Sequence, residues 1–227
     1  MKLWFEWNDI SSIDMKVVLS EVPDIIKPKK RYNSITVDGV DGSRIEELGY
    51  SSYVKQIEIG FAYTDVQKVE QWLNGSGKLV FCNEPDVYYE ARILDEIKYT
   101  KDIIFCHAKV CFLVQPYKYA LFEDKATGIA NIAIYNDGNV NALPRVSISG
   151  TGNVNVLVND TNVCTLVFGT TSRTLVLDSM TQDCTCDNAL ANRSMNGEFP
   201  VFVPGDNTIS CSGTVTSLEV EVRTRWV

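Results

Sequence analysis

Few residues in this chain have types and spacings that could do chemistry. The single histidine, His107, sits between Phe105 and Lys109 in an alternating stretch. A catalytic histidine needs a nucleophile and an orienting carboxylate converging on it, and no spacing here supplies either. His107 therefore reads as structural or solvent-facing. Cys184 and Cys186 form a Cys-x-Cys pair between Asp183 and Asp187, which could hold a metal or a redox couple, but no second pair at zinc-ribbon spacing accompanies it. A disulfide to Cys164 or Cys211 and plain loop cysteines are the other readings. Asp95 with Glu96, and Glu219 with Glu221, are carboxylate pairs of the kind glycosidases use. Glu219 and Glu221 fall on the polar face of an alternating strand and read as solvated surface. Asp38 to Ser43, DGVDGS, has the outline of a calcium loop with Glu46 as its distant carboxylate, but paired Asp-Gly steps more often make tight turns. The expectation is a non-enzymatic chain with no catalytic residues, no cofactor and no metal.

Composition narrows the partners. The chain has 227 residues, 45% of them hydrophobic and 22% charged, enough to fold and to form two domains with separate cores. Its formal charge of −8 divides into −3 over residues 1–120 (15 basic, 18 acidic) and −5 over residues 121–227 (6 basic, 11 acidic). With no basic block, neither nucleic acid nor an anionic membrane surface is an expected partner. The first twelve residues lack a signal-peptide pattern, and no stretch approaches a membrane span, so synthesis in a cytoplasm is expected. Seven cysteines, an odd number, with Cys82, Cys106 and Cys111 in apolar alternation, fit a reduced state. Sequons at Asn74, Asn159 and Asn192 carry no meaning without a secretory route.

The elements that would position these residues are mostly strands. Thr64 with Gln67 predicts a capped helix carrying Val66, Val69, Trp72 and Leu73 on one face, closed by Asn74 and Gly75. Lys78 to Cys82 predicts a buried strand, Asn83 to Asp86 a turn built on Pro85, and Val87, Tyr89, Ala91 and Ile93 one face of another strand. Leu3 to Leu19 reads as a hairpin turning at Asn8 to Ser12. Ile57, Ile59 and Phe61 share a face opposite Gln56, Glu58 and Gly60. Ile104, Cys106, Ala108, Val110, Phe112 and Val114 form the longest apolar ladder, ended by Pro116, Tyr117 and Tyr119.

Glu123 to Gly128 marks a boundary. The pattern predicts a helix-containing β domain over 1–120, a linker over 121–128 and an all-β sandwich or jelly roll over 129–227. Strands are expected at 131–135, 145–149, 154–158, 163–168, 174–178 and 199–203, parted by turns at NDGN, GTGN, NDTN and GTTS, with a final strand through Leu218, Val220 and Val222. Residues 188–196 are the one helix-length candidate in this half. Trp4, Phe5 and Trp7 are candidate subunit-interface residues, because large aromatics on opposite faces of one strand cannot all enter a single core, and Trp4 in particular calls for a neighbour.

Together these segments resemble the phage distal tail protein family. The short helix ending in Trp72-Leu73, then KLVF, an acidic Pro turn and YYEA, are similar to its central signature. FEWNDISSIDMKVVLSEVP resembles its opening hairpin, and ITVDGVDG its Gly-rich turn, although the family's usual Pro-Gly-Arg is absent there. FLVQPYKY, Asn136 to Pro144 leading into VSISGTGN, and PVFVPGDNTISCSG with Arg225-Trp226 follow in the family's order. The resemblance implies a mainly β fold: an N-terminal β-sandwich belt domain with a short helix, then a C-terminal galectin-like β-sandwich. It implies a virion protein of the tail tip, forming a homohexameric ring, or stacked rings, between the tail tube protein and the tail-associated hub or baseplate protein, with outer domains offered to receptor-binding proteins. A soluble carbohydrate-binding or adhesin module is the alternative reading.

Overall fold

The computed structural model describes residues 3–227. These residues are mostly β-strand with one short α-helix, and both halves are β-sandwiches built from curled sheets. The chain divides into two compact units, one reaching to Leu121 and including Val227, the other Phe122–Trp226, each with its own apolar core.

In the first unit an antiparallel sheet runs, in spatial order, Ile10–Ser11, Phe5–Trp7, Ser76–Phe81, Glu84–Ile93, Phe105–Ala120, Tyr53–Ala62 and Val18–Leu19, with Tyr99–Asp102 beside the start of Phe105–Ala120. The sheet curls strongly. Phe5 and Trp7 lie three strands away from Phe112, about 14 Å across a flat sheet, yet their ring centroids approach it to 6.3 and 5.3 Å. The helix Val66–Trp72 caps this cluster: Val69, Trp72 and Leu73 are buried, Trp72 stacks on Phe5 at 5.1 Å, and its Nε1 donates to the Trp7 carbonyl at 3.1 Å.

Several local details differ from the sequence pattern. The helix has no capping box, because the chain passes from the strand Tyr53–Ala62 straight into a 3-10 turn at Tyr63–Asp65 that already contains Thr64. Its end is as expected, with Gly75 at φ +79°. The opening hairpin turns at Asn8 and Asp9, both at positive φ, and closes on Ile10–Ser11; Val18–Leu19 instead pairs with Gly60 and Ile59. The Phe81–Glu84 turn is Cys82-Asn83, so Pro85 stands inside the next strand. Ile104 lies in a turn rather than on the ladder, and the strand runs on past Pro116 to Ala120 by means of a bulge between Val114 and Lys118, where a missing N–H is tolerated.

In the second unit the order is Ala126–Gly128, Gly205–Glu221, Arg145–Val158, Thr161–Asp178, Asp183–Cys186 and Ala189–Leu190; Asn131–Asn136 also pairs with Gly205–Glu221, and Met195–Gly197 with Thr161–Asp178. The stretches GTGN and GTTS are not turns between strands. They are bends within strands of 14 and 18 residues, and Gly205–Glu221 bends likewise. Register shifts at Gly150 and Gly152 mark the fold-over. Val146, Ile148, Leu175, Leu177, Leu218 and Val220 from one half then share a core with Val154, Val156, Leu166, Phe168 and Ile209 from the other. NDTN is a true turn, with Asn159 and Asp160 at positive φ. Residues 199–203 form only an isolated bridge, Ala142 to Phe202, and the helix candidate at 188–196 contains one 3-10 turn, Asn192–Ser194.

The expected linker is built into the second unit: Ala126–Gly128 pairs with Leu218 to Val220, and the Glu123 carboxylate accepts from the backbone N–H groups of Arg223 and Thr224.

Two substitutions check this architecture by chemical denaturation. Gly213 sits at φ +126°, and an added Cβ would lie 2.6 Å from the Asn153 carbonyl oxygen. Gly213→Ala is therefore expected to cost roughly 2 kcal/mol or more. Phe5→Ala removes a wholly buried ring and should cost about 3–5 kcal/mol.

A candidate assembly surface

The residues singled out for chemistry do not converge. His107 points outward, with Gly60 and Thr100 as its cross-strand neighbours. Cys184 is fully buried and its backbone N–H donates to the Asn192 side-chain oxygen at 2.6 Å, while the Cys186 Sγ lies 3.8 Å from Asp187 Oδ2. The cysteines are free thiols. Burial pushes Cys164 up to about 12 and Cys211 up to about 11, which keeps them protonated and unreactive near neutral pH. Glu219 pairs with Lys125 at 2.7 Å, and Asp95 and Glu96 are exposed. Glu46 accepts from Asn33 across a hairpin at 3.2 Å rather than closing a loop around DGVDGS. Among the described residues no three His, Cys, Asp or Glu side chains gather into a metal-binding group.

The aromatic trio separates. Phe5 and Trp7 are 0% exposed and offer no surface to a neighbour, because the curled sheet and the helix enclose them. Their share of the interface expectation fails on that burial. Trp4 is half-buried and retains outward surface.

The surface that stands out is one the sequence pattern did not single out. Lys30–Ile35 and Arg44–Tyr50 form a two-stranded hairpin separate from the main sheet, with Asp38 to Ser43 at its tip. From Lys30 to Gly49 every residue is exposed, including Tyr32, Ile35, Val37, Val40, Ile45 and Leu48. An isolated two-stranded hairpin is marginal in water. This one is held by Lys30 to Glu47 at 2.7 Å, by Arg31 donating to the Leu48 carbonyl at 3.1 Å, and by Tyr50 set edge-on to Tyr117 at 6.1 Å. Its signal in the sequence is modest: Ile35, Val37, Val40, Ile45 and Leu48 spread across a polar segment.

At the base of this arm lies the most buried charge among the described residues. Lys55, 2% exposed, donates to the Asp24 carbonyl at 2.6 Å, and its Nζ lies 5.0 Å from the Phe81 ring and 4.7 Å from the Tyr89 ring. Burial lowers its pKa, with Glu84 acting in the opposite direction. Glu84 accepts from the Tyr89 hydroxyl and pairs with Lys118 at 2.5 Å. Burial pushes the Glu84 carboxyl up, but the bonds from Lys118 and Tyr89 outweigh it and hold it below the ordinary value. Sequence phase could have found Lys55, since it occupies the inward position two residues before Ile57.

The two units, each a curled β-sandwich, make a fold that solved phage proteins share. The crystal structure of SPP1 Dit, described as a paradigm of the hub adsorption apparatus in phages infecting Gram-positive hosts, matches over 100% of both chains with a TM-score of 0.74 at 16% identity. A chain of the phage P2 baseplate in its activated conformation with calcium matches over 99% of this chain and 98% of that one, with a TM-score of 0.54 at 8% identity. The strontium form matches over 97% of each, at 0.51 and 10%. No family model matches the sequence, and no curated protein does. At these identities the likeness is one of fold.

Glu84 and, in the second unit, Asp178 are the carboxyls to test by pH. Burial pushes Asp178 up, but the Arg223 guanidinium, bonded at 2.7 and 2.9 Å, holds it below its ordinary range. A carboxyl that binds protons less readily in the folded state contributes stability above its unfolded pKa and loses it as pH falls through the folded one. Glu84→Gln should cost roughly 2 kcal/mol at pH 7, and the difference from the parent should shrink as pH falls below 4.5. Urea titrations at successive pH values measure it.

Proposed function

We propose that this chain is a structural protein of a phage tail tip, a distal tail protein whose copies close into a hexameric ring between the tail tube protein and the hub or baseplate protein. The second unit, on this reading, is offered to receptor-binding proteins. The likeness to SPP1 Dit over the whole length of both chains carries this reading. The arm supports the ring: a hairpin without a core, presenting Tyr32, Ile35, Ile45 and Leu48, needs another surface to cover it. A ring of identical copies supplies such a surface, since head-to-tail contacts bring two different faces together at every joint and closure leaves none open. Trp4, the exposed turn Ile103-Ile104 and the adjoining strand residue Phe105 offer further apolar surface in the same unit. On this reading the protein works by assembly in the virion and catalyses nothing.

A second reading, a saccharide-binding module, has one observation in its favour: Tyr135 is 64% exposed beside a shallow hollow lined by Asn159, Asp206 and Thr208. An exposed ring flanked by polar groups is the surface on which a sugar stacks.

Light scattering on the purified protein separates the readings. Six chains of 25.4 kDa give about 152 kDa, and Ile45→Asp with Leu48→Asp should shift the mass to the single chain without lowering the unfolding midpoint. A double variant that keeps the parent's hexameric mass removes the arm from the interface. A parent that remains a monomer both alone and with the tube and hub proteins, and binds a glycan through Tyr135, favours the second reading.

A further inference from the structure

We infer that Lys55 is a positioning residue that sets the direction in which the arm leaves the first unit. This rests on the reading of the arm as a docking element.

The strand Tyr53–Ala62 alternates inward at Lys55, Ile57, Ile59 and Phe61. Three of these are apolar, and a fourth apolar side chain would fill the interior without cost. A buried ammonium is expensive unless its donors are satisfied, so its presence asks for something that only a long donor supplies. Lys55 provides it by reaching the Asp24 carbonyl at 2.6 Å. Its charge rests between the faces of Phe81 and Tyr89, and the Glu84 carboxylate beyond Tyr89 adds negative potential to the site. Next to it the Asn83 amide donates to the Pro23 carbonyl at 2.9 Å. Two successive carbonyls, at 23 and 24, are thus gripped by side chains from two separate parts of the sheet.

The grip falls on backbone with little support of its own. Residues 20–29 belong to no strand; their ends are fixed where the Ser20 N–H meets the Glu58 carbonyl and the Ser51 N–H meets the Lys29 carbonyl. Pro23 and Pro28, both buried, stiffen the path without contributing donors. Beyond them the arm has strands of six and seven residues, about 20–25 Å of lever. A rotation of roughly 10° at the root would carry its tip about 4 Å, about a side chain's width and enough to miss a docking surface. Lys55 and Asn83 hold that angle.

Hydrogen exchange with mass spectrometry and residue-resolving electron-transfer fragmentation on the full chain tests this, read at the Ser20 and Ser51 N–H groups that fasten the two ends of the segment, for the parent, Lys55→Met and Asn83→Ala, alongside light scattering. Lys55→Met should raise exchange at Ser20 and Ser51 at least tenfold while the amides paired within 53–62 and 76–93 keep the parent's rates, and the hexameric fraction should fall. Asn83→Ala should raise exchange at the same two amides to a smaller degree, and it carries the comparison should Lys55→Met fail to fold. Unchanged exchange at Ser20 and Ser51 in both variants overturns the inference. So does a parallel rise in 53–62, which would make Lys55 a general core residue. The ring reading fails separately, on a parent that stays a single chain with its tube and hub partners, while the exchange comparison still reports on the grip.

Discussion

The first unit depends on the packing around Phe112. Its ring receives Trp7 and Phe5 from one side of the curled sheet, and Trp72 reaches the same cluster from the helix by stacking on Phe5. This contact requires the sheet to curl, and the curl encloses the trio's two buried members. It also explains why the helix is only two turns long: Val69, Trp72 and Leu73 suffice to close the mouth of the cluster. Directly across the strand from Phe112 stands Lys55. The dry aromatic cluster and the buried charge are therefore neighbouring rows of one interior. The aromatic row holds the body together, and the lysine row ties that body to the segment leading to the arm.

The second unit solves the problem of burial differently. It has no helix, so its three longest strands fold over and face themselves. The bend needs positions without side chains, and Gly150, Gly152, Gly169 and Gly213 stand at or near it. Buried polar groups then secure the ends. Asn207 and Asn136 bind backbone groups around the Phe202 bridge, and Glu123 is held at the C-terminal end of the core by Arg223 and Thr224.

Much of this was legible in the sequence, and the misses share a physical origin. Alternation identified the core rows of Tyr53–Ala62, Phe105–Ala120 and the final long strand, because burial on one face leaves a period of two. The helix was legible from its apolar face and Gly75. Turn residues were less reliable guides. Gly-Thr-Gly-Asn and Gly-Thr-Thr-Ser look like the ends of strands, but a bend inside a folded-over strand needs the same freedom of backbone, so composition alone does not distinguish the two. Pro85 and Pro116 likewise stand within strands, where an edge or a bulge excuses the absent N–H. Curling was invisible too, and that is why Phe5 and Trp7 suggested an interface while lying in the interior. The tight turn at Asp38 to Ser43 was legible, but the exposure of the arm behind it was not, because its pattern is neither a core strand nor a loop.

The arm also shows where the folding of one chain ends. A protein that needed only to fold would keep Tyr32, Ile35, Ile45 and Leu48 polar, or would lay the hairpin against the body and bury them. Instead the chain holds these side chains in water on a pair of strands joined by one exposed ion pair, which contributes little. The same chain places a charge in its interior beside the segment leading to that hairpin. Both features carry a cost for the isolated chain, and they are linked through residues 20–29. On the proposed reading the two costs have one return: apolar surface at the far end of a stiff lever is useful only when the lever points at a fixed place on a neighbour. Exposure at the tip and rigidity at the root are then one requirement, that of a subunit whose shape is completed by the next copy.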